Sequence, residues 1–158
     1  MALARAKQVI RVLIADESRI SCQSLKAFLQ KSCKSARIAG SAVNQEELLK
    51  ILGTDAIDVA LIGDGFMGGA EIGGHTLRSI HHQFPQTKLV ALLKRSDATS
   101  VVFAFGSGVR GIFDQSEKLP SLCKCIQAVH NGQIWANSQD IQHLIEDLTT
   151  LARRKSRS

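Results

Sequence analysis

The chain has 158 residues, 44% of them hydrophobic, with four cysteines and a formal net charge of +6. That length fits one domain with a single core. No apolar run approaches the length of a membrane span and no secretory signal opens the chain, which argues against a membrane or secreted design. The charge does not mark a nucleic-acid surface. Six of the 20 basic residues (Arg5, Lys7, Arg153, Arg154, Lys155 and Arg157) lie near the two ends, and the 14 that remain balance 14 acidic residues. With no aromatic interleaving and no recognition motif, basic tails of this kind read as solvated linkers.

Taken in order, residues 1–7 read as an N-terminal tail. The run I-R-V-L-I-A, within Val9 to Ala15, is apolar enough for a strand buried on both faces, and it ends in two adjacent acids, Asp16 and Glu17. Ser18 is placed to cap a helix from Arg19 to about Lys31, with Ile20, Leu25, Phe28 and Leu29 on its inner face. A second strand follows near Arg37 to Val43. Asn44 caps a short helix carrying Leu48, Leu49 and Leu52, with Gly53 as its stop. The third strand is I-D-V-A-L-I, Ile57 to Ile62. Behind it the run from Gly63 to Gly74 reads as a long glycine-rich loop, then a helix to Phe84 ended by Pro85. The fourth strand is Lys88 to Leu93. Asp97 caps a helix through about Phe105, a short fifth strand spans Gly111 to Asp114, and a helix from Leu119 to His130 ends at Asn131-Gly132. Ser138 caps a last amphipathic helix with Ile141, Leu144, Ile145 and Leu148 at helical spacing. Strand-then-helix units in this number predict an α/β fold, a flavodoxin-like, doubly wound, five-stranded parallel sheet with an extra C-terminal helix.

Ligands of such sheets bind at the C-terminal ends of the strands. That edge collects Asp16, Glu17, Asp64, Leu93 and Gln115. Asp16 and Glu17 are a hard-oxygen pair suited to Mg²⁺, and equally acids that favour the first turn of a helix. The glycine-rich run lacks G-x-x-x-x-G-K-[ST] and follows the third strand, so it does not read as a phosphate cradle. His81 and His82 are adjacent and diverge on a helix, which suits a solvated face, and His75 and His130 have no partners that would make them catalysts. No nucleophile elbow and no zinc spacing is present. Cys22, Cys33, Cys123 and Cys125 form neither a dense disulfide framework nor a C-x-x-C pair, so reduced thiols in a cytoplasm are expected. Cys123 and Cys125, two apart on a helix, point to different sides and read as packing.

These runs resemble the receiver domains of bacterial response regulators, and more narrowly those that precede a LuxR-type (NarL/FixJ) helix-turn-helix domain. The resemblance is carried by I-R-V-L-I-A-D-E-S (Ile10 to Ser18), I-D-V-A-L-I (Ile57 to Ile62), T-L-R-S-I-H-H-Q-F-P-Q-T-K-L-V-A-L-L (Thr76 to Leu93), G-V-R-G-I-F (Gly108 to Phe113) and I-Q-A-V-H-N-G-Q-I-W (Ile126 to Trp135). It covers about residues 8–136, leaving 137–158 as a linker helix and basic tail. The resemblance implies transfer of a phosphoryl group from a histidine kinase onto an aspartate. That chemistry uses an acid pair holding Mg²⁺, a hydroxyl and a lysine that offset charge on the transferred group. Asp16 and Glu17 match the acid pair. The hydroxyl position falls on Leu93, the lysine on Gln115 and the aromatic switch on Ile112, beside Phe113. The acceptor falls on Gly63 when counted along the strand and on Asp64 when counted back from D-G-F-M-G-G. A one-residue shift turns a strand side chain to the other face.

The expectation is therefore an atypical, phosphorylation-independent receiver of a transcription regulator. It would be a cytoplasmic homodimer, not an enzyme, requiring no cofactor, with no membrane partner and with DNA met only through an effector domain beyond these residues. The first alternative is a Mg²⁺-dependent receiver phosphorylated on Asp64 by a histidine kinase. A distant one is a small flavodoxin-like cofactor binder or enzyme.

Overall fold

Strands rich in Val, Ile and Leu on both faces need cover on both sides, and the computed structural model provides it. It describes residues 9–67, 70–94 and 96–156, with residues 67 and 70–75 described by their backbone alone. Among the described residues, strands β1 (Ile10–Ala15), β2 (Ala36–Ala42), β3 (Val59–Gly63), β4 (Lys88–Leu93) and β5 (Gly111–Asp114) form one sheet. Its order is β2-β1-β3-β4-β5, all neighbours parallel, which is the flavodoxin-like order. The helices are α1 (Arg19–Ser32), α2 (Gln45–Thr54), the single turn α3 (Asp64–Met67), α4 (Ala70–Gln83), α5 (Ala98–Gly106), α6 (Pro120–His130) and α7 (Ser138–Ser156).

The period of two along each strand sorts the core into two layers. Leu13, Ala60, Ile62, Ala91, Leu93 and Ile112 pack under α2, α4 and α5, with Leu48, Leu77, Ile80 and Val101. Val12, Ile14, Leu61, Val90, Leu92 and Phe113 pack under α1 and α6, with Leu29, Leu122, Ile126 and Val129. At the far side of β5, Ile112 N–H donates to the Trp135 carbonyl at 2.8 Å and Trp135 N–H to the Arg110 carbonyl at 3.1 Å. Gly132 makes this return: its φ of +88° is the left-handed conformation that a side chain would strain.

The expected caps form at three helices. Ser18 Oγ accepts from Ser21 N–H at 3.3 Å, Asn44 Oδ1 from Glu47 N–H at 2.8 Å, and Asp97 Oδ1 from Ser100 N–H at 2.8 Å. At the fourth the cap is Asn137, not Ser138. Asn137 Oδ1 accepts from Asp140 N–H at 2.8 Å, and Asp140 Oδ2 accepts in return from Asn137 N–H at 3.2 Å. This reciprocal pair is a capping box shifted one residue from the expected start.

Further expectations are corrected. The glycine-rich stretch is not a long loop: α3 starts directly after β3, and α4 starts at Ala70. Packing of Leu77 and Ile80 against the sheet overrides the low helix propensity of glycine. Gly53 does not stop α2, which runs on to Thr54. Ile20 is 76% exposed, because Cys22, two residues on and so turned to the opposite side of α1, takes the inner position with Leu25 and Leu29. On α7, Leu144 packs partly against the core, whereas Ile141, Ile145 and Leu148 are exposed. Finally, Cys33 and Cys123 are joined in a disulfide, against the expectation of four reduced thiols. Cys33 ends α1 and Cys123 lies on α6, so folding brings together residues 90 apart in sequence. Cys125, turned to the other side of α6, is buried as expected.

Candidate functional site

The C-terminal edge of the sheet is where β1, β3, β4 and β5 end together, and their registers fix what meets there. Ala15 lies beside Ile62, Gly63 beside Leu92, and Leu93 beside Asp114. The residues just beyond are Asp16, Asp64, Lys94 and Gln115, and Gln115 N–H donates to the Leu93 carbonyl at 2.8 Å.

Asp16 is half-buried and turned inward. Its Oδ1 accepts from Ser18 N–H at 2.8 Å, while its other oxygen occupies the space a Cβ on Gly63 would need, with Cγ only 3.1 Å from that point. Glu17 does the same one step on: its Oε1 and Cγ each lie 2.6 Å from where a Gly65 Cβ would be. The acid pair thus lies over two glycines. An aspartate at position 63 would need the volume Asp16 fills and would set two carboxylates against each other, which neither sterics nor charge favours.

Asp64, the other acceptor position, is the first residue of α3, not the last of β3. Its Oδ2 accepts from the Lys94 backbone N–H at 2.9 Å, so it ties the end of β3 to the end of β4. Leu93 is 1% exposed and Ile112 1% exposed, both within the core under α5, so neither offers a polar group at the edge. Gln115 is exposed. Among the described residues no three of His, Cys, Asp or Glu gather to hold a metal. The acid pair of Asp16 and Glu17 lies over Gly63 and Gly65; one or two carboxylates with water are what Mg²⁺ ordinarily takes. His81 and His82 are exposed, and the side chain of His75 lies outside the described residues.

Beside the edge lies a cleft of about 440 Å³ between the first turns of α1 and α6. Ile20, Leu25, Leu92, Phe113, Leu119 and Leu122 make it mainly apolar, and its only charged residues are Asp16 and Glu117. Glu117 escaped sequence reasoning. Its Oε2 accepts from Asp114 N–H at 2.8 Å and its Oε1 from Trp135 Nε1–H at 3.3 Å, which clamps the end of β5 to the returning chain. The D-Q-S-E spacing of Asp114 to Glu117 was the available signal, since an acid three residues on can reach back to a backbone N–H. Burial pushes the Asp114 carboxyl up, but donors from Ser96 and Ser116 outweigh this and hold it below its ordinary 3.8. Behind it, Asp140 is 1% exposed. Burial raises its carboxyl first, then Asp114's charge, against the Asn137 N–H and His143.

No family model and no curated protein matches the chain. Solved structures do. The isolated REC domain of the RcsB response regulator from Salmonella enterica serovar Typhimurium superposes with a TM-score of 0.76 at 18% identity, covering 87% of this chain and 98% of that one. A LuxR-family two-component response regulator from Aurantimonas sp. SI85-9A1 gives 0.75 at 14% identity, covering 90% and 99%. A structure of two RcsB dimers bound to two parallel DNAs gives 0.73 at 16%, covering 85% and 67%. The chain therefore has the fold of response-regulator receivers, and the α/β, flavodoxin-like expectation holds.

Proposed function

We propose that this chain is the receiver, or signal-input, module of a two-component response regulator, and that it works without phosphorylation. The observation that carries this reading is the Asp16 carboxylate filling the Cβ space of Gly63, the position where an acceptor side chain would stand. Leu93 and Gln115 supply neither the hydroxyl nor the ammonium that would offset charge on a phosphoryl group. The fold then serves as a scaffold for protein contacts and not as an enzyme. It needs no cofactor and no histidine kinase, and Mg²⁺ has no part in the mechanism.

The proposed partner is a second copy of the chain. RcsB, with the same fold, has been seen as dimers on DNA, and α7 here leaves Ile141, Ile145, Leu148 and Leu151 exposed. Within a transcription regulator, DNA would be met by an effector domain outside residues 1–158, with 137–158 as the linker. Among the described residues no helix is long and apolar enough to cross a membrane, and the proposed place of the module is the cytoplasm.

The test is a titration of the protein with Mg²⁺ and then beryllofluoride, followed through backbone amide shifts, with intact mass after exposure to a small phosphodonor. Unchanged shifts around Asp16, Glu17 and Asp64, and no mass gain, are expected. A gain abolished by Asp64→Asn would instead establish the phospho-accepting alternative.

A further inference from the structure

We infer that the Cys33–Cys123 bond is a thiol–disulfide exchange site, opened at Cys123 by a small anionic monothiol. The two sulfurs have unequal surroundings. Cys33 is 1% exposed, whereas Cys123 is half-buried and lines a cleft of about 630 Å³ at the end of the sheet opposite the acid pair. Which sulfur is attacked is decided by access, and access here leads to Cys123. The charge in that cleft is of one sign. Lys34 lines it, and no carboxylate does. A thiol carrying carboxylates would be drawn there faster than a neutral one.

The leaving sulfur is also prepared. Cys33 Sγ lies 3.6 Å from Ser35 Oγ. Gln127 Nε2 donates to that same oxygen at 2.9 Å, which leaves the Ser35 hydroxyl hydrogen to be given to sulfur. A hydrogen bond to a forming thiolate speeds its departure. The other thiols do not compete. Burial first, then the charge of Glu117, pushes Cys125 up to about 12, and burial raises Cys22 as well.

The exchange balances. The incoming thiolate forms a bond to Cys123 Sγ, the Cys33–Cys123 bond breaks, and its electron pair leaves on Cys33 Sγ, which takes a proton from water. A second monothiol then forms a bond to the sulfur of the first. It frees Cys123 as a thiol and releases the oxidised, dimeric thiol. The result is two protein thiols, and α1 is no longer tied covalently to α6. This inference does not depend on the receiver reading.

The test starts from the oxidised full chain without denaturant, treated with glutathione and in parallel with neutral 2-mercaptoethanol, and followed by intact mass and peptide mapping. A transient mixed disulfide on Cys123 alone is expected. Lys34→Glu, an exposed change, should slow the glutathione reaction about tenfold at low salt, with the effect fading at high salt and absent for 2-mercaptoethanol. Ser35→Ala should slow both thiols. Three results would overturn the inference: four free thiols in the oxidised protein, a mixed disulfide on Cys33, or reduction only after denaturation. Equal effects of Lys34→Glu on both thiols would overturn the anionic specificity.

Discussion

Gly63 and Gly65 have opposite margins for change, although each lies under a carboxylate. Glu17 is exposed and flexible, so a methyl at position 65 can displace it. Asp16 is held by the Ser18 N–H, and the Ala15 carbonyl lies 3.3 Å from the same point, so a methyl at position 63 has nowhere to go. Gly63→Ala is therefore expected to cost about 1–3 kcal/mol in urea unfolding, while Gly65→Ala costs well under that. In a double-mutant cycle, Asp16→Ala should recover most of the Gly63→Ala loss. Additivity of the two changes would show that Asp16 is not what fills the position. At this scale, residue identities were readable in the sequence and their contacts were not. The replacement of hydroxyl and lysine by Leu93 and Gln115 needs only counting along the strands, whereas the choice between Gly63 and Asp64 needed the end of β3.

At the scale of the element, α7 shows how a cap is decided. Asn137 and Ser138 are both good capping residues, and the reciprocal bonds with Asp140 select Asn137. Asn137→Ala should cost about 1 kcal/mol and Ser138→Ala a few tenths, read from urea midpoints. Asp140 adds a pH dependence. Its carboxyl sits above the ordinary 3.8 in the fold, so the folded state holds the proton longer than the unfolded chain. Stability from this group is then greatest at low pH and falls as pH rises through the window between the two values. Asp140→Asn, which cannot charge beside Asp114, should gain stability relative to the parent as pH is raised from about 4 to 7. A constant difference across that range would count against the buried charge.

For the whole molecule, the exposed stripe of α7 is the surface that a second copy would cover. Ile145, Leu148 and Leu151 are 57%, 64% and 48% exposed on a helix whose neighbouring face packs on α5. The helix carries Glu146 and Asp147 at its middle and is basic in its last turn, at Arg153, Arg154 and Lys155. A parallel pair of such helices would stack the basic turns on each other. An antiparallel pair packs Ile145 against Leu151 across a two-fold axis at Leu148 and sets the two basic turns at opposite ends. Leu148→Lys should convert a sedimenting dimer to monomer with unchanged circular dichroism, because the side chain touches little of its own core. A dimer that survives the change would place the interface elsewhere.

The sequence by itself determined the order of the strands and of every helix but the single turn α3, the parallel doubly wound sheet and the two tails of basic charge. Each of these depends on periodicity and spacing, which are local properties of the chain. It also carried the loss of the hydroxyl and the lysine from the edge, since absence of a functional group needs no geometry. Tertiary structure decided the rest. The end of the glycine-rich run, from Ala70, became helix because Leu77 and Ile80 could be buried against a sheet built from distant residues. Ile20 stayed outside because the face of α1 that meets the sheet is the one carrying Cys22 and Leu29. Cys33 met Cys123 across 90 residues because α1 and α6 cover the same face. In each case the outcome turns on which surfaces meet, and a pattern read along the chain does not contain that information.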